Sequence, residues 1–498
     1  MNHFGERKLD YDKTDQYSIE KYSQKLIGKT FKDVLFADNP AVEEPSSGYD
    51  SLPDSVNHAV PGARLGISKK TFLYIESISN SNYKGSMGNL IEEHFFHYAI
   101  NSDSDPDFPD AGVELKVTPY KINNNGEKAA KERLIITMID YNKVISESFE
   151  TSHLWNKSRC ILLIFYLFQK DTKKLDYRID YSKLFTPPAE DLKIIKHDFE
   201  TIANKIREGK ANELSESDTL YLGACTKSAT SANRRKQPNS NLLAKPRAFA
   251  FKNSYMTYVL NHYIIPSSPE YEKIIDNSSS TPFENQVIQR INKYIDETEQ
   301  QLCQNFDISY QKKPKNLDAT LIYRMLGIKG NNAEEFLKAG IKVKSIRVGM
   351  NGKIKENMSF PTFKFTDIIK EDWETSTFRT YLEETRFFFV VYATDENSQL
   401  YLKGSMFWNI PYNDLEGPVK ETWMRTKSAI ANGLHIQQIN GKYSSNLPKQ
   451  SENPICHVRP HGRDSKDTCE LPDGRHFPKQ CFWLNNSYIL QQINKNLK

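Results

Sequence analysis

The sequence predicts an α+β protein built from two tandem domains. First, its 498 residues exceed what one ordinary domain holds. Second, segments with helical periodicity and segments with strand periodicity are mixed in each half. Third, segments of the first half recur in the second half in the same order, roughly 230 residues further on, which indicates a duplicated domain.

Three pairs of similar segments carry this repeat. The pairs are Asp110–Pro119 with Lys338–Arg347, Asn156–Tyr166 with Glu383–Tyr392, and Phe251–Tyr255 with Leu484–Tyr488. One match could arise by chance, but three in the same order favour a duplication. A stretch rich in Pro, Ser and Asn separates the halves, so we assign residues 1–265 to the first domain, 266–282 to a linker and 283–498 to the second domain.

Periodicity places the elements of the first half in chain order. Asn89–Ile100 carries apolar residues on roughly one helical face. In Val113–Val117 apolar residues alternate with polar ones, as in a strand that is buried on one side. Further strands are predicted at Leu134–Ile139 and Cys160–Phe168, a helix at Ile194–Glu208, and helical patterns on both sides of the linker at Tyr255–Tyr263 and Phe283–Cys303.

The composition narrows the class of protein. Hydrophobic residues make up 38% and charged residues 26%, which fits a folded globular chain rather than a disordered one. The longest apolar run, Cys160–Phe168, is about half the ~20 residues that a membrane helix needs, and Met1–Asp10 lacks the apolar segment of a signal peptide. We therefore expect a cytoplasmic protein that does not bind membranes. The net charge of +4 neither supports nor opposes binding to nucleic acid.

The cysteines and histidines do not indicate a zinc centre. The six cysteines include no Cys-x-x-Cys pair. One cluster near the end of the chain has a spacing that fits none of the common structural zinc patterns; its members are Cys456, His457, His461, Cys469 and His476. We expect reduced, inert thiols.

Two acids and a lysine in Asp107–Lys116 have the composition of a phosphodiesterase site. On a strand, residues i and i+2 point to the same face, so Glu114 and Lys116 should lie side by side. The loop that carries Asp107 can bring a second carboxylate to them. Two carboxylates hold a hard cation such as Mg²⁺, and a lysine beside it can position the attacking water. The alternative is an ordinary solvated strand face with a Glu–Lys pair.

A second motif lies upstream, in Lys84–Glu92, and reads as a glycine-bearing turn that enters a helix. Together the two motifs follow the pattern K-G-x-x-G-x-L-x-E, then D-F-P-x-x-G-[IV]-E-L-K. This pattern resembles the MutH mismatch-repair endonuclease and its relatives among the GATC-specific type II restriction enzymes, especially the Sau-three-AI type. The resemblance to MutH covers about residues 70–265, and that to the two-domain restriction enzyme covers nearly the whole chain. It implies two tandem restriction-endonuclease-like domains.

The resemblance also implies roles for individual residues. Asp107 and Glu114 would bind Mg²⁺ and Lys116 would serve the attacking water. Glu92 would complete the site, and Lys157 falls where the family has another active-site lysine. The loop at Lys84 and Gly85 corresponds to one that approaches DNA. This chain departs from the family in two places: Glu93 could take the role of Glu92, because the interval to Asp107 is one residue longer than in MutH, and Ala250 stands where MutH has a base-contacting tyrosine.

Basic residues cluster near the end of the first domain. The cluster comprises Lys227, Arg234, Arg235, Lys236, Lys245, Arg247 and Lys252. Within a nuclease domain, a loop that follows DNA phosphates is a better interpretation than a solvated face, and we expect Arg234, Arg235, Lys236 and Lys252 to contact DNA. In the second half, Arg459 and His461 lie in a polar loop and favour the same role.

The second half has lost parts of the motif. The repeat puts Lys342 where Glu114 stands and Tyr323 where Glu92 stands, while Glu335 and Lys344 persist at the other two positions. A lysine in place of a metal-binding carboxylate opposes cation binding. The second domain should therefore lack nuclease chemistry, and the resemblance implies a DNA-sensing, regulatory role. A domain that only stabilises the first is the alternative.

The resemblance implies a type II restriction endonuclease that uses Mg²⁺, needs no organic cofactor, and cuts double-stranded DNA at GATC, before the G. A strand-nicking mismatch-repair endonuclease and a non-cleaving GATC-binding regulator are the alternatives. The second domain argues against the former and the intact acidic set argues against the latter. With one working site in each chain, cutting both strands of a palindrome requires either dimerisation on DNA or two successive nicks.

Overall fold

The chain divides into two compact units. The first comprises residues 1–196 and 248–269, and the second comprises residues 197–247 and 270–498. The computed structural model describes residues 9–38, 86–98, 105–227, 232–265, 271–274, 281–311, 316–439 and 442–497. In this part of the chain, no helix is long and apolar enough to cross a membrane.

The strands alternate with helices throughout both units. The described strands are β1 (Glu114–Ile122), β2 (Lys128–Ala130), β3 (Leu134–Met138), β4 (Ile161–Leu167), β5 (Ile179–Phe185), β6 (Leu222–Thr226), β7 (Arg235–Gln237), β8 (Ser240–Ala244), β9 (Arg247–Phe251), β10 (Lys342–Val348), β11 (Met358–Phe363), β12 (Phe387–Thr394), β13 (Leu400–Trp408), β14 (Ile436–Ile439), β15 (Lys442–Ser445), β16 (Cys456–Pro460), β17 (Thr468–Glu470), β18 (His476–Pro478) and β19 (Gln480–Leu484).

The α-helices are mostly short. They span Gln16–Ser23, Phe31–Ala37, Ser86–Ile91, Tyr141–Val144, His153–Ser158, Ala189–Arg207, Asn253–Val259, Phe283–Asn292, Glu299–Asn305, Leu317–Met325, Glu334–Ala339, Phe365–Ile368, Thr377–Glu384, Tyr412–Asp414, Lys420–Ala431 and Asn486–Asn496. Three of them continue into π-helical turns, at Glu92–Phe96, Leu260–Ile264 and Leu415–Val419.

The main sheet of the first unit has the order β2-β1-β4-β5, with β1 parallel to β4. One core lies on its inner face, where Val113, Leu115 and Leu162 pack with Leu90 and Phe96 of the helical segment before the sheet. This packing fixes the helix Ser86–Ile91 beside the start of β1, since apolar burial is the main force that joins such elements.

The second unit repeats this arrangement. Strand β10 runs parallel to β12, as β1 does to β4, and β13 adds to the far side in antiparallel orientation, as β5 does. Strand β19 pairs with β11 as β9 pairs with β3, and a helix begins two residues after each of β9 and β19. The mixed α+β class and the duplicated architecture that the sequence predicts are therefore both present.

Two predicted elements differ from the structure in instructive ways. The helical pattern Phe283–Cys303 is split in two, because Asp296 adopts a positive φ of 68° and Thr298 starts the second helix with a capping box. The segment Asn89–Ile100 is helical to Phe96 and ends at His97, which has a φ of 59°; residues 99–100 lie outside the described part.

Residues 197–247 group with the second unit, although the sequence assigned them to the first domain. Two ion pairs link this segment to distant residues of the same unit. The guanidinium of Arg247 lies 3.3 Å from the carboxylate of Glu383, and the Lys245 ammonium lies 2.5 Å from that of Glu374. Such pairs join positions far apart in sequence, so no local pattern reveals them.

Candidate active site

A tight turn before β1 brings an aspartate back to the strand. The segment folds on itself through an isolated bridge between Phe108 and Val113. Gly112 has a φ of 66°, a conformation that residues with a Cβ rarely adopt, and a Cβ there would lie 2.8 Å from the guanidinium of Arg159, which would have to shift. As a result, the Asp107 carboxylate accepts a hydrogen bond of 2.8 Å from the backbone N–H of Leu115.

Glu114 lies at the centre of the site. Its carboxylate is only 3% exposed, and the ammonium of Lys116 donates to it at 2.6 Å. The ammonium of Lys157 approaches the other carboxylate oxygen at 3.3 Å. Since β1 and β4 are parallel and the helix His153–Ser158 directly precedes β4, the fold delivers Lys157 to the same end of the sheet as Glu114.

Glu92 adds a third carboxylate from the neighbouring helical segment. It begins the π-helical turn, a feature that often occurs at functional sites. Burial raises the pKa of Glu92 to about 7, and the nearby charge of Asp107 adds to the rise, while Lys116 and Lys157 oppose it. Glu93 is exposed and its carboxylate lies 3.9 Å from His94 instead. Of the two adjacent acids, Glu92 is the one at the site.

The carboxylates repel each other inside a partly buried pocket. The pKa of Asp107 is raised by burial and then by the charge of Glu114. Raised pKa values of this kind cluster at functional sites, because the fold holds charges where they act rather than where they are most stable. A cation would relieve the repulsion between these groups.

Tyr98 is a site residue that the sequence did not reveal. Its hydroxyl is buried and has no hydrogen-bond partner among the described residues. Burial raises the pKa of Tyr98 above its ordinary value, and the charges of Asp107 and Glu92 raise it further, so the hydroxyl faces the acidic cluster. A buried polar group without a partner costs free energy and indicates room for a water molecule or ligand. No spacing rule connects Tyr98 to the motif.

The donor set fits a hydrated Mg²⁺. Within the described ranges, His, Cys, Asp and Glu side chains nowhere gather in threes close enough to form a ready-made metal cage. Mg²⁺ does not need one, since it usually keeps several waters and binds one or two carboxylates. Asp107 and Glu114 are two carboxylates that could hold such an ion, and the Tyr98 hydroxyl, which has no hydrogen-bond partner among the described residues, could bind a water molecule.

The residues predicted to contact DNA have mixed positions. Arg234, Arg235 and Lys236 are exposed on the hairpin of β7 and β8. Lys252 is only 4% exposed, so its side chain is not on the surface. This burial contradicts the prediction that Lys252 contacts a DNA phosphate. Lys245 and Arg247 of the wider basic cluster are also buried, and each forms an ion pair with a carboxylate. Lys84 and Gly85 lie outside the described residues.

In the second unit, Arg459 and His461 flank an aromatic ring that the sequence analysis missed. The guanidinium of Arg459 stacks over Trp483 at 4.5 Å from the ring centre, and the His461 ring meets it edge-on at 5.2 Å. The signal was present in the repeat, because pairing Phe251 with Leu484 also pairs Ala250 with Trp483.

Known proteins resemble the chain along most of its length. A family model described as the DNA mismatch repair enzyme MutH matches residues 96–198. The type II restriction enzyme Sau3AI of Staphylococcus aureus is 36% identical over 467 residues, which is 84% of this chain and 94% of that protein. The DNA mismatch repair protein MutH of Shewanella woodyi is 27% identical over 215 residues, which is 43% of this chain and 90% of that protein.

One solved structure also matches part of the chain. It is the complex of restriction endonuclease MvaI with a cognate DNA substrate, at 12% identity over 40% of this chain. The TM-score is 0.17, which is too low to indicate a shared arrangement.

Proposed function

The chain belongs to the family of the MutH endonucleases and the Sau3AI-type restriction enzymes, and from this premise we propose that it is a type II restriction endonuclease that cuts double-stranded DNA at GATC, 5′ of the G, with Mg²⁺. The observation that carries the proposal is the convergence of Asp107, Lys116 and Lys157 with Glu92 around the buried carboxylate of Glu114. The restriction enzyme is favoured over a nicking repair enzyme because the Sau3AI match spans both halves, whereas the MutH match spans 43% of the chain.

The proposed roles follow from position and charge. Asp107 and Glu114 would hold the Mg²⁺, which supplies charge for the phosphate and lowers the pKa of a bound water. The Leu115 N–H fixes the Asp107 carboxylate towards the strand, so its orientation does not depend on the ion. Lys116 and Lys157 are held by Glu114 at 2.6 and 3.3 Å, and their ammonium groups would position the attacking water and offset charge on the phosphate.

Glu92 would act on the proton of the attacking water. A general base works best when its pKa lies near the working pH, and burial raises the pKa of Glu92 to about 7. Glu92 also faces the site from a different element than the strand pair, so it can approach the substrate from another side. This role makes Glu92 a catalytic group rather than a third rigid ligand.

DNA contacts would come from two groups of exposed cations, both of which lie in the second unit. Arg234, Arg235 and Lys236 extend from a two-stranded hairpin, and cations on such a ribbon can follow the phosphates and enter the major groove. In the second unit, the stacked Arg459 and His461 combine positive charge with a planar surface. We assign this unit to DNA sensing rather than to cleavage.

Plasmid digestion tests the proposal. Wild-type protein with Mg²⁺ should linearise a plasmid that carries one GATC site, and sequencing of the ends should locate the cut before the G. Asp107→Ala and Lys116→Ala should each abolish cleavage while a GATC duplex still binds. Undiminished cutting by either variant would remove the assigned site, and a product that is nicked but never linearised by wild type would favour the repair enzyme.

A further inference from the structure

Strand β10 of the second unit occupies the position that β1 has in the first. The first residue of β1, Glu114, pairs in register with the first residue of β4, and Lys342 pairs in the same way with the first residue of β12. Two residues later the same correspondence joins Lys116 to Lys344. Strand register therefore equates these positions independently of the sequence repeat.

Glu335 and Glu383, the acids at the positions that correspond to Asp107 and Lys157, are engaged by other groups. Both carboxylate oxygens of Glu335 lie 3.0 Å from the backbone nitrogen of Ile274, which donates to them. Glu383, near the end of the helix before β12, forms buried ion pairs with Arg379 at 2.6 Å and Arg247 at 3.3 Å. Neither carboxylate is left to neutralise the lysines of β10.

Two lysines thus stand side by side without compensation. Lys342 is exposed and Lys344 is partly buried, and among the described residues neither side chain forms an ion pair or a hydrogen bond. The pKa of Lys344 is lowered by burial and then by the charge of Lys342. Like charges held this close oppose each other, and a bound anion would remove that cost.

The position that corresponds to Glu92 has also lost its negative charge. Tyr323, which the repeat equates with Glu92, lies on the helix Leu317–Met325 and is partly buried, with its ring centre 6.3 Å from that of Phe336. By the same register Lys157 corresponds to Glu383, so the cluster changes from three carboxylates and two ammonium groups to two of each. Both remaining carboxylates are held by other partners, so the two lysines make this position favour an anion over a cation.

We propose that Lys342 and Lys344 bind a phosphodiester group of duplex DNA, with the Lys342 ammonium in the place that a cation takes in the first unit. The inference rests on the proposed function, since it takes DNA as the substrate. A lysine supplies positive charge but cannot activate a water as a metal does, so this site would hold the phosphate without hydrolysing it. The occupant is chosen by charge, because the strand presents two cations at positions i and i+2, which lie on the same face.

The salt dependence of DNA binding tests this site. The measurement uses the full-length chain with Lys116→Ala, so that no cleavage occurs, and a duplex that carries two GATC sites, in the presence of Mg²⁺. Each phosphate contact contributes about 0.9 to the slope of log affinity against log salt concentration, so Lys342→Gln with Lys344→Gln, which removes one phosphate contact, should reduce that slope by about 0.9. Replacing both by Arg should preserve it.

Lys353 and Lys355 provide a matched control in the same unit. They have the same spacing and are exposed, so the double change to Gln removes equal charge and should leave the slope unchanged. An unchanged slope in the Lys342 and Lys344 variant would overturn the inference while the proposed function stands. If the Lys116→Ala parent shows no preference for GATC, the proposed function fails, and the inference fails with it.

Discussion

Replacing Glu92 by Gln should stabilise the metal-free protein at high pH and not at low pH. The folded state raises the pKa of this carboxyl from 4.5 to about 7. The folded state thus binds the proton more tightly, so Glu92 reduces stability progressively as the pH rises from 4.5 to about 7, and fully above that range. Glutamine imitates the protonated form and removes this penalty.

The size of the effect follows from the shift. A rise in pKa from 4.5 to about 7, at about 1.4 kcal/mol for each pH unit, gives an upper limit near 3.5 kcal/mol; because Glu92 is only partly buried, solvent screening reduces the expected gain to about 1–2 kcal/mol. Urea unfolding at about pH 8 and about pH 4.5, with a chelator present, measures it. The variant should be more stable than wild type at the higher pH and equal to it at the lower.

Glu93→Gln is the matched control, because this neighbouring acid is exposed and should give no pH-dependent gain. Mg²⁺ should stabilise wild type more than Glu92→Gln, since the ion relieves the same repulsion. Equal stability changes at both pH values in Glu92→Gln would refute the assignment of Glu92 to the carboxylate cluster. A gain in Glu93→Gln instead would transfer that assignment to Glu93.

Three further predictions concern the site and its use. Tyr98→Phe should reduce the cleavage rate, because it removes the buried hydroxyl that faces the acids, yet unfolding midpoints should stay at or above wild type since that hydroxyl has no partner among the described residues. Gly112→Ala should lower the free energy of unfolding by at least 1–2 kcal/mol, roughly the cost of a left-handed conformation for a residue with a Cβ. The added Cβ would also contact Arg159, which should disturb Asp107 and reduce cleavage. Wild-type stability in a urea titration would contradict this. In sedimentation experiments the free protein should be a monomer and should pair only when a GATC duplex is added; a stable dimer without DNA would count against pairing on DNA.

The pairing of Glu114 with Lys116 at the centre of the site was predictable from the sequence. Glu114 and Lys116 share a face because side chains alternate along a strand, and the structure brings their charged groups to 2.6 Å. The repeat likewise predicted the second sheet. These features depend on residues that are close in sequence or that recur in order.

Features that depend on distant partners were not predictable. Lys245, Arg247 and Lys252 look like surface cations in the sequence, but the structure buries all three. A buried cation is tolerated when carboxylates pair with it, and the partners of the first two, Glu374 and Glu383, lie more than a hundred positions away. Composition alone therefore overstates the basic DNA surface of the hairpin region.

The two units illustrate how one scaffold can separate holding a phosphate from cutting it. Both tasks need positive charge at the end of a parallel strand pair. In the first unit the carboxylate of Glu114 can bind a metal cation, which also activates water. In the second unit the positive charge belongs to the Lys342 side chain, which does not activate water. The proposed exchange would remove hydrolysis and retain attraction for the phosphate. A chain of this kind would cut with one unit only, so a break in both strands would require a second chain or a second turnover.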